Sequence, residues 1–323
     1  MSYLQAFVIA LTQGITELFP ISSLGHSVLI PAWFGGSWQT LVTQSSEAQS
    51  ESSFYLAFIV ALHVATALAL LWYFRADWVR IIRGFFRSLR QSVRARRLVV
   101  EDDDGRLAWL IVVATIPVGL TGVALEHTFR TLLAKPTAAA AFLFVNGIVL
   151  FAGERFARRH KGRGVEPTHD GVPVRQGERR VGSRSRAEIR AARGADARLA
   201  QLPVLDVLYI GILQIFALFA GISRDGVTMV GGLWRGLDRE DAARFAFLLA
   251  TPPILAAGVL KLPSLTGSAA AHIHGQIILG MIVSFIAASF SVRFLMRWFR
   301  TRTLTPFAIY CLAFGAISFF RFV

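Results

Sequence analysis

The stretch QGITELFPISSLGHS, residues 13–27, decides how this chain is read. It lies inside an apolar region spanning 3–34, yet it brings Glu17, Pro20, Ser22, Ser23, Gly25 and His26 together within ten residues. Proline and glycine interrupt a helix, and the serines are helix-capping residues. An apolar segment broken in this way predicts a re-entrant helix–loop–helix, tolerated in a bilayer only where protein or water lines the break. A second region, 202–234, is interrupted in the same manner. Laying QIFALFAGISRDGVT, residues 214–228, beneath the first stretch pairs Gln13 with Gln214, Ile21 with Ile222, Ser22 with Ser223 and Gly25 with Gly226, without a gap.

The rest of the chain places these hairpins in a membrane. Of 323 residues, 54% are hydrophobic and only 17% charged, and the mean hydropathy is +0.54. Those values exclude an ordinary soluble domain. Clear spans are predicted at about 53–74, 107–126, 137–154, 243–260, 276–296 and 304–322, each long enough to cross roughly 30 Å of hydrocarbon. The net charge of +14 follows from arginines at the ends of apolar spans. That position speaks for the positive-inside rule and for attraction to anionic lipid, and against nucleic acid. The single cysteine, Cys311, allows no intrachain disulfide. Met1–Ala10 lacks the charged start of a cleavable signal, so the first apolar segment is expected to direct insertion.

Arginine also orients the chain. Segment 75–106 carries nine arginines, and 155–200 carries twelve together with Lys161. These, with Arg293, Arg297, Arg300 and Arg302, predict cytoplasmic segments, whereas 35–52 has neither Lys nor Arg and is expected outside. Six spans then alternate without conflict, and both termini fall outside. An odd number of crossings between the broken hairpins inverts the second copy. The expected fold is therefore an all-α multi-pass membrane protein, with six transmembrane helices and two re-entrant segments in an inverted-topology repeat. The first repeat covers 1–156 and the second 201–323. Between them, 157–200 reads as a basic cytoplasmic linker, largely disordered or loosely helical, and a candidate for binding anionic headgroups.

The two copies differ where chemistry needs polar groups. Glu17 faces Leu218, His26 faces Val227, and Ser23 faces Arg224. Tip to tip, they would enclose a polar chamber carrying both signs of charge, and ionisable groups in a membrane are costly and usually functional. Glu17 can ligate a hard divalent cation or act as a base; the plain alternative is a neutral packed acid. Gln13, one turn earlier on the same face, can offer its carbonyl to a metal or a hydrogen bond to phosphate, or simply join two helices. Ser22, Ser23 and Gly25 open one half-helix, and Ser223, Arg224, Asp225 and Gly226 open the other. Two helix N-termini aimed at one cavity suit a diphosphate, and ordinary capping by Ser22 and Ser223 is compatible with that. Arg224 can fork onto phosphate or pair with Asp225 or Glu17. His26 is a candidate general acid, base or nucleophile, and Ser23 a candidate nucleophile if His26 reaches it. His63, Thr66 and Asn146 lie within spans and read as helix–helix hydrogen-bonding residues; Glu126 and Glu154 read as interfacial.

These residues resemble the undecaprenyl pyrophosphate phosphatase family of the bacitracin-resistance type. Its first motif corresponds to Gln13, Glu17, Pro20, Ser22, Ser23, Gly25 and His26, and its second to Ala220, Gly221, Ile222, Ser223, Arg224, Asp225 and Gly226. Two positions depart from the pattern: Ala220 stands where the motif has proline, and Asp225 where it has serine. Asp225 there can help hold a cation, orient Arg224 or weaken diphosphate binding. The resemblance implies hydrolysis of undecaprenyl diphosphate to the monophosphate and inorganic phosphate, in a pocket open to the outer face of the bacterial plasma membrane. It implies a divalent cation, Mg²⁺ or Ca²⁺, with Glu17 and Gln13 at metal and phosphates, Arg224 on the diphosphate, and His26 with Ser23 in the displacement. The partners expected are a polyprenyl diphosphate lipid and the surrounding membrane lipids, with oligomerisation left open. The rival reading is a transporter that moves a polyprenyl phosphate between leaflets, because inverted repeats with broken helices are transporter architecture. A phosphatase for another isoprenoid diphosphate is a third.

Overall fold

The computed structural model describes residues 1–47, 54–133, 135–161, 186–260 and 272–323. The described residues form thirteen α-helices and one short 3₁₀ helix. In chain order the helices are α1 (Tyr3–Thr16), α2 (Ser23–Phe34), α3 (Gly36–Glu47), α4 (Phe54–Tyr73), α5 (Arg75–Ala95), α6 (Asp103–Leu133), α7 (Pro136–Lys161), α8 (Arg186–Ala200), α9 (Val204–Leu213), α10 (Arg224–Trp234), α11 (Arg239–Leu260), α12 (His274–Thr301) and α13 (Thr305–Phe322). The 3₁₀ turn Gln214–Leu218 continues α9.

Five stretches are long and apolar enough to cross a membrane: Asp103–Leu125, Pro136–Arg159, Arg239–Leu260, His274–Thr301 and Thr305–Phe322. These coincide with five of the six expected spans. The expected span at 53–74 is α4, which turns by 86° into α5 and counts as a span only as part of that bent pair. A second bent pair joins α8 to α9 at 97°, so the described residues hold five to seven candidate spans.

Both apolar segments break into two helices at their proline, glycine and serine positions. α1 starts on a capping box in which the Ser2 hydroxyl accepts from Gln5 N at 3.1 Å and Gln5 Oε1 accepts from Ser2 N at 2.8 Å. It ends at Thr16, and α2 restarts at Ser23 after a break that contains Pro20. α9 and its 3₁₀ extension end at Leu218, and α10 restarts at Arg224. Packing is reciprocal: α1 lies on α12 and α9 on α6, while α4 meets α11 and α7 meets α13. Glycine permits the closest approach in both halves. A Cβ on Gly14 would lie 2.6 Å from the Ser284 carbonyl oxygen of α12, and one on Gly211 would lie 2.6 Å from the Ala114 oxygen of α6.

The basic segments are more ordered than their composition suggests. Residues 75–95 form one amphipathic helix, α5. Of the stretch read as a loose linker, 157–161 completes α7 and 186–200 forms α8, while 162–185 lie outside the described residues. α8 is fastened by charge. Arg80 of α5 donates to Asp77 at 2.8 Å, to Asp104 at 2.9 Å and to Asp196 of α8 at 2.5 Å. Arg244 of α11 donates to the same Asp196 at 2.8 Å. Arg198 grips Asp241 with two bonds of 2.6 and 2.8 Å. Glu154 sits at the end of its span, as expected, but is buried: it accepts from Arg158 at 3.0 Å, from Arg239 at 2.5 Å and from Leu304 N at 3.2 Å. The side chain of Glu126 lies outside the described residues. Cys311 is buried and free.

Candidate active site between the two breaks

The breaks in α1–α2 and α9–α10 touch. Ser22 Oγ accepts from Gly25 N at 3.2 Å, which caps α2, and also from Gly221 N of the other break at 3.1 Å. Ser22 reaches this position with φ of 68°, and Gly221 with φ of 114°. Positive φ at a non-glycine residue is costly and is held by its surroundings. Gly221 is glycine for two reasons. Its backbone lies in the left-handed half of φ, and a Cβ there would lie 2.4 Å from the Ala139 oxygen of α7. Asn146 of α7 completes the junction: its Nδ2 donates to Pro20 O at 2.9 Å and its Oδ1 accepts from Ser223 N at 3.0 Å. The helix–helix role expected of Asn146 is thus more particular, because it ties the two breaks to each other.

Glu17 is the centre of the chamber and is 8% exposed. Arg224 Nη2 donates to its Oε1 at 2.7 Å. On Oε2 it receives Gln13 Nε2 at 2.9 Å and the Ser23 hydroxyl through a very short bond. His63 Nε2 of α4 stands 3.3 Å from the same oxygen. Glu17, Ser22, Ser23, His63, Ser223 and Arg224 line a cavity of about 140 Å³. Arg224 Nε is buried and has no hydrogen-bond partner among the described residues. The guanidinium therefore keeps a donor for a ligand after pairing with Glu17.

The structure brings Gln13, Glu17, Ser22, Ser23, Ser223 and Arg224 together, but it separates others that the sequence grouped with them. His26 Nδ1 lies 2.7 Å from the Ser22 carbonyl, which can only accept, so Nδ1 carries the proton. Its Nε2 then accepts from Tyr310 Oη at 2.7 Å, with the two rings stacked. His26 thus engages Tyr310 and shows no bond to Ser23, whose hydroxyl is given to Glu17. Gly25 and Gly226 have their N–H groups taken by the caps Ser22 and Ser223, the latter at 3.1 Å. Asp225 is 1% exposed, and neither carboxylate oxygen has a hydrogen-bond partner among the described residues. It stands outside the residues lining the cavity.

His63 is the site residue that sequence reasoning set aside. Lying in an apolar span, it reads as a helix-packing group, and only the fold of α4 against α1 reveals it. Its one sequence signal is an ionisable group at membrane depth. Among the described residues, no group of three or more His, Cys, Asp and Glu side chains is placed to hold a metal ion. Glu17 nevertheless offers a carboxylate, and Gln13 Oε1, buried and unpartnered, offers a carbonyl beside it. Such a sparse oxygen set fits a cation whose remaining ligands are phosphate oxygens and water.

An all-helical, multi-pass protein with an ion-paired polar chamber between two discontinuous apolar segments is an integral membrane protein built around a buried polar site. The family model described as bacitracin resistance protein BacA matches residues 6–317, and the chain belongs to that family. The undecaprenyl-diphosphatase 2 of Frankia alni is 55% identical, covering 100% of this chain and 98% of the relative. The undecaprenyl-diphosphatase of Mycolicibacterium paratuberculosis is 54% identical, covering 98% and 96%. That of Acidiphilium cryptum is 40% identical, covering 98% and 97%.

Proposed function

We propose that the protein hydrolyses undecaprenyl diphosphate to undecaprenyl phosphate and inorganic phosphate, returning the lipid carrier to cell-wall synthesis. One observation carries this reading: Glu17, Ser23 and Arg224 converge in a single cavity between the two breaks, in a chain 54–55% identical to relatives named for this activity. The same relatives favour hydrolysis over transport.

Phosphoryl transfer is mostly positioning and electrostatics. Arg224 turns its unpartnered Nε edge onto the diphosphate, and the positive ends of α2 and α10 add to it. Ser23 Oγ attacks the terminal phosphorus while Glu17 Oε2, already hydrogen-bonded to that hydroxyl, takes its proton. The P–Oγ bond forms, the bridging P–O bond breaks, and undecaprenyl phosphate leaves carrying the proton that Glu17 held, which restores the carboxylate. Glu17 then draws a proton from water, which attacks the phosphoserine; the P–Oγ bond breaks, inorganic phosphate leaves, and Glu17 returns that proton to Ser23 Oγ. A divalent cation, Mg²⁺ or Ca²⁺ in the simplest case, would be held by Glu17 and Gln13 Oε1 and would supply charge neutralisation on the phosphate oxygens. His26 orients the start of α2 through the Ser22 carbonyl and Tyr310. Asp225 stays outside the chemistry.

The remaining architecture fits this chemistry. The reciprocal packing of the two halves supports an inverted repeat, with 1–156 and 201–323 as its units. Both arginine–carboxylate networks meet at the start of α11, where Arg239 pairs with Glu154 of α7 and Arg244 with Asp196 of α8, which supports a shared cytoplasmic side. The termini and the mouth of the cavity then face outward from the plasma membrane. The polyprenyl chain follows α6, whose Val118 lines the polar cavity while Thr115, Ile116 and Gly119 line an apolar groove of about 590 Å³.

Phosphate release from undecaprenyl diphosphate tests the site. Glu17→Gln and Arg224→Lys should each lose about 10²–10³-fold in turnover, and rapid quenching of the unmodified protein should trap phosphate on Ser23. Near-normal turnover in either variant would refute the assignment.

A further inference from the structure

His63 raises a question of lone pairs. Its Nδ1 lies 2.8 Å from the Ile59 carbonyl oxygen. A carbonyl only accepts, so Nδ1 carries the ring proton and Nε2 of the neutral imidazole carries a lone pair. That lone pair faces Glu17 Oε2 at 3.3 Å. The same carboxylate accepts from Arg224 on its other oxygen, Oε1. Two lone-pair donors so placed repel each other unless a proton or a cation lies between them.

We infer that His63 is a nitrogen ligand for a divalent cation shared with Glu17 Oε2, so that the site prefers a cation that accepts imidazole over Ca²⁺. The inference rests on the phosphatase reading above only for the diphosphate that completes the shell. Three features of the geometry support it. A cation bonded to both atoms at about 2.1 Å would see them roughly 105° apart at the observed separation, an ordinary ligand angle. The Nδ1–H bond to a backbone carbonyl is the outer-shell partner that ligating histidines use to fix their tautomer. Gln13 is the third feature. As placed, its Nε2 meets Glu17 Oε2 while Oε1 is buried without a partner. Turning the amide over exchanges the two ends and offers Oε1 to the same cation. The set becomes one carboxylate oxygen, one imidazole nitrogen, one amide oxygen and the diphosphate. Nitrogen in the set shifts preference from Ca²⁺ and Mg²⁺ toward first-row transition cations. The guanidinium on Oε1 stays clear of that position and can move onto the phosphates.

The test uses the purified full chain in detergent with substoichiometric Mn²⁺, with and without inorganic pyrophosphate, read by pulsed electron paramagnetic resonance. Expected are a directly bound ¹⁴N coupling in the unmodified protein, its loss in His63→Gln, and its persistence in His26→Gln. Ca²⁺ should displace Mn²⁺ at least about 10-fold more readily from His63→Gln than from the unmodified protein. If His63→Gln fails to fold, uniform ¹⁵N-histidine labelling of the unmodified protein must convert the ¹⁴N pattern to that of ¹⁵N. Bound Mn²⁺ without nitrogen coupling would overturn the inference. So would protein that releases phosphate from undecaprenyl diphosphate with Mg²⁺ but binds no Mn²⁺; either result leaves Glu17 and His63 as an imidazolium–carboxylate pair only. Nitrogen coupling in protein that releases no phosphate under any cation would uphold the ligand and overturn the phosphatase reading instead.

Discussion

Glu17 receives Gln13, Ser23, His63 and Arg224 from four different helices, and each of those contacts differs in what the sequence revealed of it. Gln13 is legible because it lies one turn from Glu17 on the same helix. Ser23 and Arg224 are legible because the broken segments repeat. His63 has no such neighbour, and only tertiary packing brings it in. Asp225 shows the opposite limit: its motif position suggests a role beside Arg224, yet its side chain is buried with both oxygens unpartnered. A buried acceptor without a partner forfeits the full cost of leaving water. Asp225→Ser, which restores the residue of the family motif, should therefore stabilise the protein by about 1–3 kcal/mol. A rise in the thermal unfolding midpoint in detergent, with phosphate release maintained, is the expected result.

At the scale of the element, the informative features are the two breaks. Each is a helix interrupted by proline or glycine and restarted on a serine cap, and sequence alone recognises both. Sequence does not reveal how they are joined. Ser22 caps its own helix and also holds Gly221 N, and Asn146 reaches both breaks from α7. Gly221 is the tightest point, since a Cβ there would press on the Ala139 oxygen at 2.4 Å. Gly221→Ala should cost at least about 1–3 kcal/mol through its φ alone. It should also lower both the unfolding midpoint and phosphate release, because the second break can no longer seat against Ser22. Unchanged turnover in Gly221→Ala would mean that the junction is dispensable. α8 teaches a related lesson. Its composition is that of a solvated linker, but Asp196 and Arg198 give it partners on α5 and α11.

For the whole molecule, two consequences follow from the charge networks. Asp196 is 1% exposed and neutralises both Arg80 and Arg244. Removing one member of a buried ionic group leaves the others uncompensated, which costs about 3–5 kcal/mol. Asp196→Ala should lower the unfolding midpoint well below that of an exposed control such as Arg94→Ala, whereas equal midpoints would show α8 to be a passenger. The second consequence is topological. The chain's only cysteine, Cys311, is buried, so a cysteine introduced at Ser2 or Val323 is singly addressable. Impermeant maleimide applied to intact cells should label both positions. Labelling only after lysis would reverse the orientation read from the arginines.

The sequence by itself determined that this is a membrane protein, where its apolar spans run, where two apolar segments break, and which polar residues the breaks carry. Those properties follow from local composition: hydropathy, proline and glycine, and the positions of arginine. Tertiary structure alone decided which polar groups share a cavity. It turned His26 to Tyr310, seated Ser23 on Glu17, brought His63 in from α4 and buried Asp225 away from the cavity. Periodicity can place a side chain on one face of its own helix. The partner it meets there depends on how separate helices are packed, and that packing is fixed by close approach at Gly14, Gly211 and Gly221, far apart along the chain.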